Sequence, residues 1–556
     1  MAFVICSATF WSLEKTMKTM KTMRRGSNAA TAVAAICIAV PANAQNQTET
    51  ISPLVTAGVP FQVEMELVDW IGDHLPAIHS AAYATVDEQL LLVGGKTSGL
   101  HNFTCDPDVN WPAADFNGSL MVVDFETRET FTRALDRGDT GLTPNQRASL
   151  TSSNTLSHQS GERLVCIGGY GVDAEGDYVT FSTLRVLDVP GVIDWVRGDR
   201  TPLADHIRFH EAPKDAPSDF FTICGGVLIE NGDEFWSCLG QNFQGGYVDL
   251  NVCPSIGTSQ VYTKSIRRFA LDASRPDAAP VYLGETASPP AWARRRDLNV
   301  LPAVVPGGDG AVALAGVFTL EEGIWTAPIV IDPQGDMSMG DPDAPGTLLQ
   351  GFNAYESGRL SLWSELRREN WFLTFGGLGF QVLAEGTLVE NYSIPYSNET
   401  LAVRYAPDTD SWSQHLIGTS YPVSTDENGN VWFNGTETLT IPLVDQSRRQ
   451  IDLDAITEPT SVAYLYGGIV ANGQGIVTFP NTFASNQLFE VILVPGPGCP
   501  ADLDGDGTVD AADLAILLLA WGRVPPGTPA DLNADGVVSS ADLGWMIGAW
   551  GVCPGP

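Results

Sequence analysis

The chain has 556 residues, 44% hydrophobic and 17% charged, which describes globular domains with sizeable cores and excludes a disordered chain. Its formal charge is −36, from 30 basic and 66 acidic side chains. Such a polyanion repels nucleic acid and anionic lipid, so a nucleic-acid partner is not expected. Glycine (56) and proline (36) are plentiful, as many turns between short strands require.

Residues 1–44 read as a secretory signal peptide. Lys15 to Arg25 are basic, Ala29 to Val40 is a short apolar run, and Ala42-Asn43-Ala44 offers small residues for a cut before Gln45. The start could equally be Met17, Met20 or Met23. No later run is long enough for a membrane span, so an extracellular or cell-surface location is expected. Export permits disulfides. Cys499 and Cys553 bracket the acidic C-terminal repeats and are the expected pair. Cys105, Cys166, Cys224, Cys238 and Cys253 are an odd set, so at least one should stay unpaired within the chain.

After a leader at 45–59, Phe61-Gln-Val63-Glu-Met65-Glu-Leu67 alternates apolar and polar residues, the period of a half-buried strand. Short apolar runs closed by glycine then recur: Leu90–Val93 before Gly94-Gly95, Leu164–Ile167 before Gly168-Gly169, and Phe220–Cys224 before Gly225-Gly226. The theme continues with Val312–Ala315 before Gly316, Trp371–Phe375 before Gly376-Gly377, and Tyr464–Tyr466 before Gly467-Gly468. Several are followed by another strand ending in an apolar-Asp pair, such as Leu120–Asp124 and Leu184–Asp188. The pattern predicts an all-β domain over 60–494, built as a propeller of six blades rather than seven, with Phe61–Asp69 pairing with Leu488–Val494.

The apolar run plus Gly-Gly resembles kelch repeats. Phe235-Trp236, Gly240-Gln241-Asn242-Phe243, Ile266–Phe269, Arg295-Arg296-Asp297-Leu-Asn299, Gly316-Val-Phe318 and Phe483–Asn486 are similar to a family of secreted bacterial kelch-type proteins. That resemblance implies a fold and no settled activity.

Val494-Pro-Gly-Pro-Gly-Cys499 ends the body, with 495–498 as a linker. Residues 499–556 then hold two twelve-residue calcium-loop patterns, 29 positions apart. Calcium takes six to eight oxygens from loop positions 1, 3, 5, 7, 9 and 12, with glycine at 6 for the turn. The first loop supplies Asp502, Asp504, Asp506, the Thr508 carbonyl, Asp510 and Asp513. The second supplies Asp531, Asn533, Asp535, the Val537 carbonyl, Ser539 and Asp542. Two calcium ions are therefore expected, the second held more weakly because fewer carboxylates face it. An amphipathic helix should follow each loop, with Leu514, Leu517, Leu518 and Trp521 matching Leu543, Met546, Ile547 and Trp550. Val509 and Val538 are expected to pair as a bridge between the loops.

This segment resembles a dockerin whose repeats are bounded by Gly-Cys. The resemblance implies calcium-dependent folding and docking to a cohesin or a cell-surface anchor. Loop positions 10 and 11, often Ser-Thr in dockerins of cellulose-degrading complexes, hold Ala511-Ala512 and Ser540-Ala541.

No catalytic motif stands out. Gly94-Gly95-Lys96-Thr97 mimics the end of a phosphate loop but reads as a strand turn. His206 and His210 have metal-like spacing without the glutamate of a zinc hydrolase helix. Carboxylates are too many for a pair to be chosen. Trp111, Trp195, Trp236, Trp292, Trp325, Trp363 and Trp412 could stack on sugars, with core packing the expected use of each. Catalytic residues stay unassigned. The function expected is a binding or scaffold protein whose propeller takes a protein or glycan. The alternative is a carbohydrate-active propeller enzyme, a hydrolase or sugar isomerase.

Overall fold

A computed structural model describes residues 54–55, 59–248, 253, 257–272, 274–275, 277–320, 323–384, 387–390, 394–425, 429–444, 449–475, 481–496, 500–504, 508–525, 528–533 and 536–553. The signal segment 1–44, Cys499, Asp506 and Asp535 lie outside the described residues.

The body is mostly β. Among the described residues six sheets of four or more strands, antiparallel in their main strands, follow one another along the chain, beside smaller sheets of two or three strands. The first is Ala82–Val86, Gln89–Val93, Ser119–Asp124 and Glu129–Ala134. The second is Leu156–Ser160, Arg163–Ile167, Leu184–Asp188 and Ile207–His210. The third is Val227–Asn231, Glu234–Cys238, Ile266–Ala270 and Val281–Glu285. The fourth is Asn299–Val305, Gly308–Leu314, Ile329–Ile331 and Met337–Met339. The fifth is Gly358–Ser364, Glu369–Leu378, Tyr396–Ala406 and Ser411–Ser420, with two short parallel additions. The sixth takes Leu439–Pro442, Thr460–Tyr466 and Leu488–Pro495, then the early strand Phe61–Leu67. Phe61 lies opposite Pro495 and Leu67 opposite Phe489, so the expected pairing of the early and late strands is present. Phe61, Val63 and Met65 are buried while Gln62, Glu64 and Glu66 are exposed, as the period-two pattern requires.

The core is divided between sheets. Leu91, Val93 and Val122 of the first sheet pack with Leu164, Cys166 and Leu187 of the second. Val165, Ile167 and Val186 meet Leu228, Phe235 and Phe269 of the third. Trp236 and Ile266 meet Val300, Ala311 and Ile329 of the fourth. Leu301 and Val312 meet Phe372 and Val403 of the fifth. Leu362 and Trp371 meet Val462, Val491 and Val63 of the sixth. Leu439, Ile441 and Tyr466 then meet Leu90, Leu92 and Val123 of the first.

Glycine follows the second strand of the first, second, fourth and sixth sheets, as expected, whereas in the fifth Gly376-Gly377 fall inside the strand Glu369–Leu378 at a shift of register. Gly94 and Gly95 have φ of +64° and +85°, and a Cβ on Gly95 would meet the His79 carbonyl at 2.6 Å. The third sheet corrects the reading. Phe220–Cys224 is not a strand, and Gly225-Gly226 precedes the sheet instead of closing a strand. Phe220 and Phe221 form a buried wedge against Phe269, edge-on at 6.3 and 5.3 Å. The sheet's own strand-ending glycine is Gly240. A helix at Val189–Arg197 was not foreseen. Pro190 sits in its first turn and Gly198 ends it at φ +115°, signals present in the sequence but masked by the strand just before.

Cys105 and Cys253 form a disulfide across 148 positions, and Cys166, Cys224 and Cys238 are buried free thiols. Trp195 and Trp236 are fully buried and Trp363 nearly so, which is core packing. Among the described residues no helix is long and apolar enough to cross a membrane.

Candidate calcium loops and the cavity between the sheets

In the tail, helix Ala511–Leu519 follows the first loop and Ser540–Gly548 the second. Asp510 and Ser539, at loop position 9, cap these helices, and Asp513 and Asp542 complete a capping box three residues on. The carboxylates at position 12 are fully buried. Asp513 accepts from the backbone N–H of Leu503 (2.6 Å) and Asp504 (3.1 Å) through one oxygen and of Asp510 (2.8 Å) through the other. Asp542 accepts from Asn533 (3.2 Å) and Ser539 (2.7 Å), the matching positions of the second loop. Burial opposes the charge on Asp513, but these N–H donors outweigh it and hold the carboxyl below its usual range. The Asp side chain is one methylene shorter than Glu, and the helix start is drawn against the loop backbone to meet it.

Asp502, Asp504 and Asp513 each bring an oxygen within 4.8 Å of the others. Three converging carboxylates with no nitrogen or sulfur suit a hard cation, and calcium fits this donor set. In the second loop Asp531 accepts from Gly536 N–H at 2.8 Å, which folds position 1 over the turn.

Two expectations for this module need correction. Val509 and Val538 do not pair with each other. Thr508-Val509 pairs with Val552 and Gly551 beyond the second helix, and Val537-Val538 pairs with Arg523 and Gly522 beyond the first. Each loop is thus tied to the chain leaving a helix, while both valines stay buried beside Leu517 and Met546. The apolar stripes are also narrower than expected. The helices stop at Leu519 and Gly548, so Trp521 and Trp550 fall beyond them and are half exposed. Leu518, Leu519, Trp545 and Ile547 are exposed as well. Cys553 is disulfide-bonded; its expected partner Cys499 lies outside the described residues.

The second site is in the body. The first strands of all six sheets line one cavity of about 650 Å³. Two residues before each of those strands stand Ser80, Asn154, Gly225, Asp297, Glu356 and Glu437. Their backbones are hydrogen-bonded in series: Asn154 N–H to Ser80 O, Gly225 to Asn154, Asp297 to Gly225, Glu356 to Asp297 and Glu437 to Glu356, at 2.8–3.2 Å. The Ser80 hydroxyl then donates to Glu437 Oε2 at 2.9 Å. All but Glu356 have positive φ, so the same backbone kink recurs at five places.

This series places Asp297, Glu356 and Glu437 side by side. Arg296 Nε meets Asp297 at 3.1 Å and Arg359 Nη1 meets Glu356 at 3.0 Å. Burial, then the Glu356 and Asp297 carboxyls, push Glu437 well above the usual carboxylate range. Burial also raises Glu356 and Asp297, against the pull of their arginines. His79 Nδ1 lies 2.7 Å from Ser80 Oγ, and burial with nearby Lys96 lowers that ring to about 3.

Lys96 is buried, pairs its backbone with His79, and holds its ammonium 4.0 Å over the Trp111 ring. That is the strand turn expected of Gly94–Thr97. His206 Nδ1 lies 3.5 Å from Asp188. The carboxyl trio escaped sequence reasoning because its members are 59 and 81 positions apart (297 to 356 to 437) and share no local motif. Their one common signal is a place two residues before a first strand.

A repeated loop-and-helix unit, with three converging carboxylates in its first loop, defines the class of the tail. Residues 500–549 match the Dockerin type I domain family, and this segment is a dockerin domain, a class that binds calcium. A comparison of the chain with curated proteins returns no match. A solved structure titled "Structure of YjhT" is 13% identical, with 76% of this chain and 99% of that chain covered and a TM-score of 0.40.

Proposed function

We propose that this is an exported kelch-type β-propeller protein, anchored outside the cell by its dockerin domain to a cohesin or similar surface receptor, and presenting its propeller to a glycan or protein. Six successive four-stranded units, the intersheet core clusters and the hydrogen-bonded series from Ser80 to Glu437 support six blades closed by Phe61–Leu67. Two calcium ions, one per loop, are part of the proposal, as are the second loop's weaker grip, cleavage before Gln45 and the Cys499–Cys553 bridge.

The observation that carries the docking role is the apolar surface left on the calcium-clamped module. Leu518, Trp521, Ile547 and Trp550 are each about half exposed, at 51, 49, 59 and 48%. So many large apolar side chains on a small module mark an interaction surface. The polar receptor-reading residues found at loop positions 10 and 11 in some relatives are largely absent here, so apolar contact would have to dominate. Binding to an immobilised type I cohesin, with calcium and then with chelator, tests this. The expected result is binding that needs calcium and that Trp521→Ala with Trp550→Ala weakens by about 2 kcal/mol or more. Binding unchanged by chelator, or none to cohesins or isolated cell envelopes, overturns the docking role.

A second reading has its own support. Raised carboxyls beside a polar cavity are how acid–base sites are built, which favours a carbohydrate-active enzyme. Release of reducing sugar or isomerisation by the wild type, lost in Glu437→Gln, is the expected sign. Turnover of neither kind with any offered glycan rejects it.

A further inference from the structure

We propose that the ring cluster of His101, Trp111 and Tyr247 binds an acidic sugar, whose oxyanion, a carboxylate or a sulfate ester, is held by Lys96 and Arg296. The proposal deepens the glycan-binding half of the function above and rests on it.

The cluster is built from two inserts. The chain after Gly94-Gly95 of the first sheet supplies Lys96, His101 and Trp111, and the chain after Phe243 in the third sheet supplies Tyr247. The Cys105–Cys253 disulfide joins the two inserts, and Asn110 Nδ2 donates to the Tyr247 carbonyl at 2.9 Å. The rings are thereby fixed against one another. His101 lies 4.4 Å from Tyr247 and 5.4 Å from Trp111, and Trp111 lies 5.2 Å from Tyr247. Phe103, 4.6 Å from His101, is 43% exposed, so the cluster reaches the surface.

A surplus of donors points to the ligand. Lys96 is 1% exposed, yet among the described residues its ammonium finds no hydrogen-bond acceptor and no carboxylate at ion-pair distance. Asp115 acts on it from farther away, and the rings of Trp111 at 4.0 Å and Phe116 at 5.6 Å face it instead. The Trp111 Nε1–H is likewise buried without an acceptor. Arg296, 6% exposed, donates from Nε to Asp297 at 3.1 Å and from Nη1 to Gln241 at 3.1 Å and Tyr262 at 2.6 Å. Its Nη2 has no partner among the described residues. Burial lowers the His101 ring to about 3 against its bond to the Asn102 carbonyl, and Lys96 and Arg296 both add to the fall. The two cations therefore act on the same ring. Buried donors without acceptors are costly, and an oxyanion supplies acceptors and countercharge together. On a sugar, the groups of that kind are a carboxylate and a sulfate ester, while the aromatic faces take the apolar side of the pyranose.

Titration calorimetry on the calcium-loaded chain tests this with glucuronate, a sulfated glucose, glucose and acetate at neutral pH. One of the two acidic sugars should bind about tenfold or more tighter than glucose and than acetate, and which one does so names the oxyanion. Lys96→Met, which keeps the stem and removes the charge, should cost that sugar about tenfold and leave glucose unchanged. Trp111→Phe, which keeps a ring against the ammonium and removes the N–H, should cost about threefold. Glucose binding as tightly as either acidic sugar overturns the oxyanion site and leaves glycan binding standing. Acetate binding as tightly overturns the sugar contact on the rings. No binding of any saccharide overturns both this site and the glycan reading. Should Lys96→Met fail to fold, Trp111→Phe decides, and an acidic-sugar preference that it leaves untouched overturns the placement at this cluster.

Discussion

Glu437 is a carboxyl held by neighbours that make its charge costly, and that has a consequence for stability. Burial and the flanking Glu356 and Asp297 raise its folded-state value above the unfolded one. A group so raised contributes stability that is fully present below the unfolded value and is lost as pH rises through the folded one. With calcium saturating, the body should therefore lose stability from mildly acid to alkaline pH. Glu437→Gln should flatten that slope. Urea unfolding at a series of pH values measures it. An equal slope in both proteins would mean that the carboxyl titrates normally. Little of this was readable from the sequence. Ser80, Asn154, Gly225, Asp297, Glu356 and Glu437 are five residue types in six unlike contexts. What unites them is a backbone position created by the stacking of sheets, which no local spacing encodes.

The elements of the tail are the reverse case. A calcium loop is local: twelve residues place the ligands, and Asp-x-x-Asp at positions 9 and 12 also caps the helix that follows. Loops and helices could thus be read directly. The pairing of Val509 with Gly551 and of Val538 with Gly522 could not, because it depends on two repeats crossing. Nor could the exposure of Trp521, which follows from the helix stopping two residues earlier. The module's buried core is small, Ala501, Val509, Leu517, Ala530, Val538 and Met546. Domains of this size need a metal or disulfide to stay folded. Residues 499–556, with the disulfide reduced, should therefore be helical in calcium and lose most of that helix on chelation. Far-ultraviolet circular dichroism reads it, and an unchanged spectrum rejects metal-dependent folding. Asp502→Ala should require more than about tenfold more calcium, since position 1 has no substitute ligand.

At the scale of the whole body, one early strand carries the junction between the two ends of the domain. Phe61–Leu67 runs antiparallel to Leu488–Pro495 and buries Phe61, Val63 and Met65 against Leu362, Trp371 and Phe375 of the preceding sheet. Its alternation was plain in the sequence, and its partner could be named because both ends of the domain offered a lone strand. Four of the six glycine-closed runs mark a second strand of a large sheet, while Phe220–Cys224 is a wedge and Gly376-Gly377 lie inside their strand. Three buried side chains at about 1.5–3 kcal/mol each approach the whole stability of a typical domain. Removing residues 45–69 should then leave a chain that melts well below the parent or in more than one transition. Val63→Asp, which puts a charge in that core without removing the strand, should cost about 3 kcal/mol or more, whereas Glu64→Lys on the exposed face should stay within about 0.5 kcal/mol. Calorimetry distinguishes the two variants. Equal, small losses would mean that the sixth sheet holds without its borrowed strand, joined to the first by the core of Leu439, Ile441 and Tyr466 on Leu90, Leu92 and Val123 and by the Ser80–Glu437 bond.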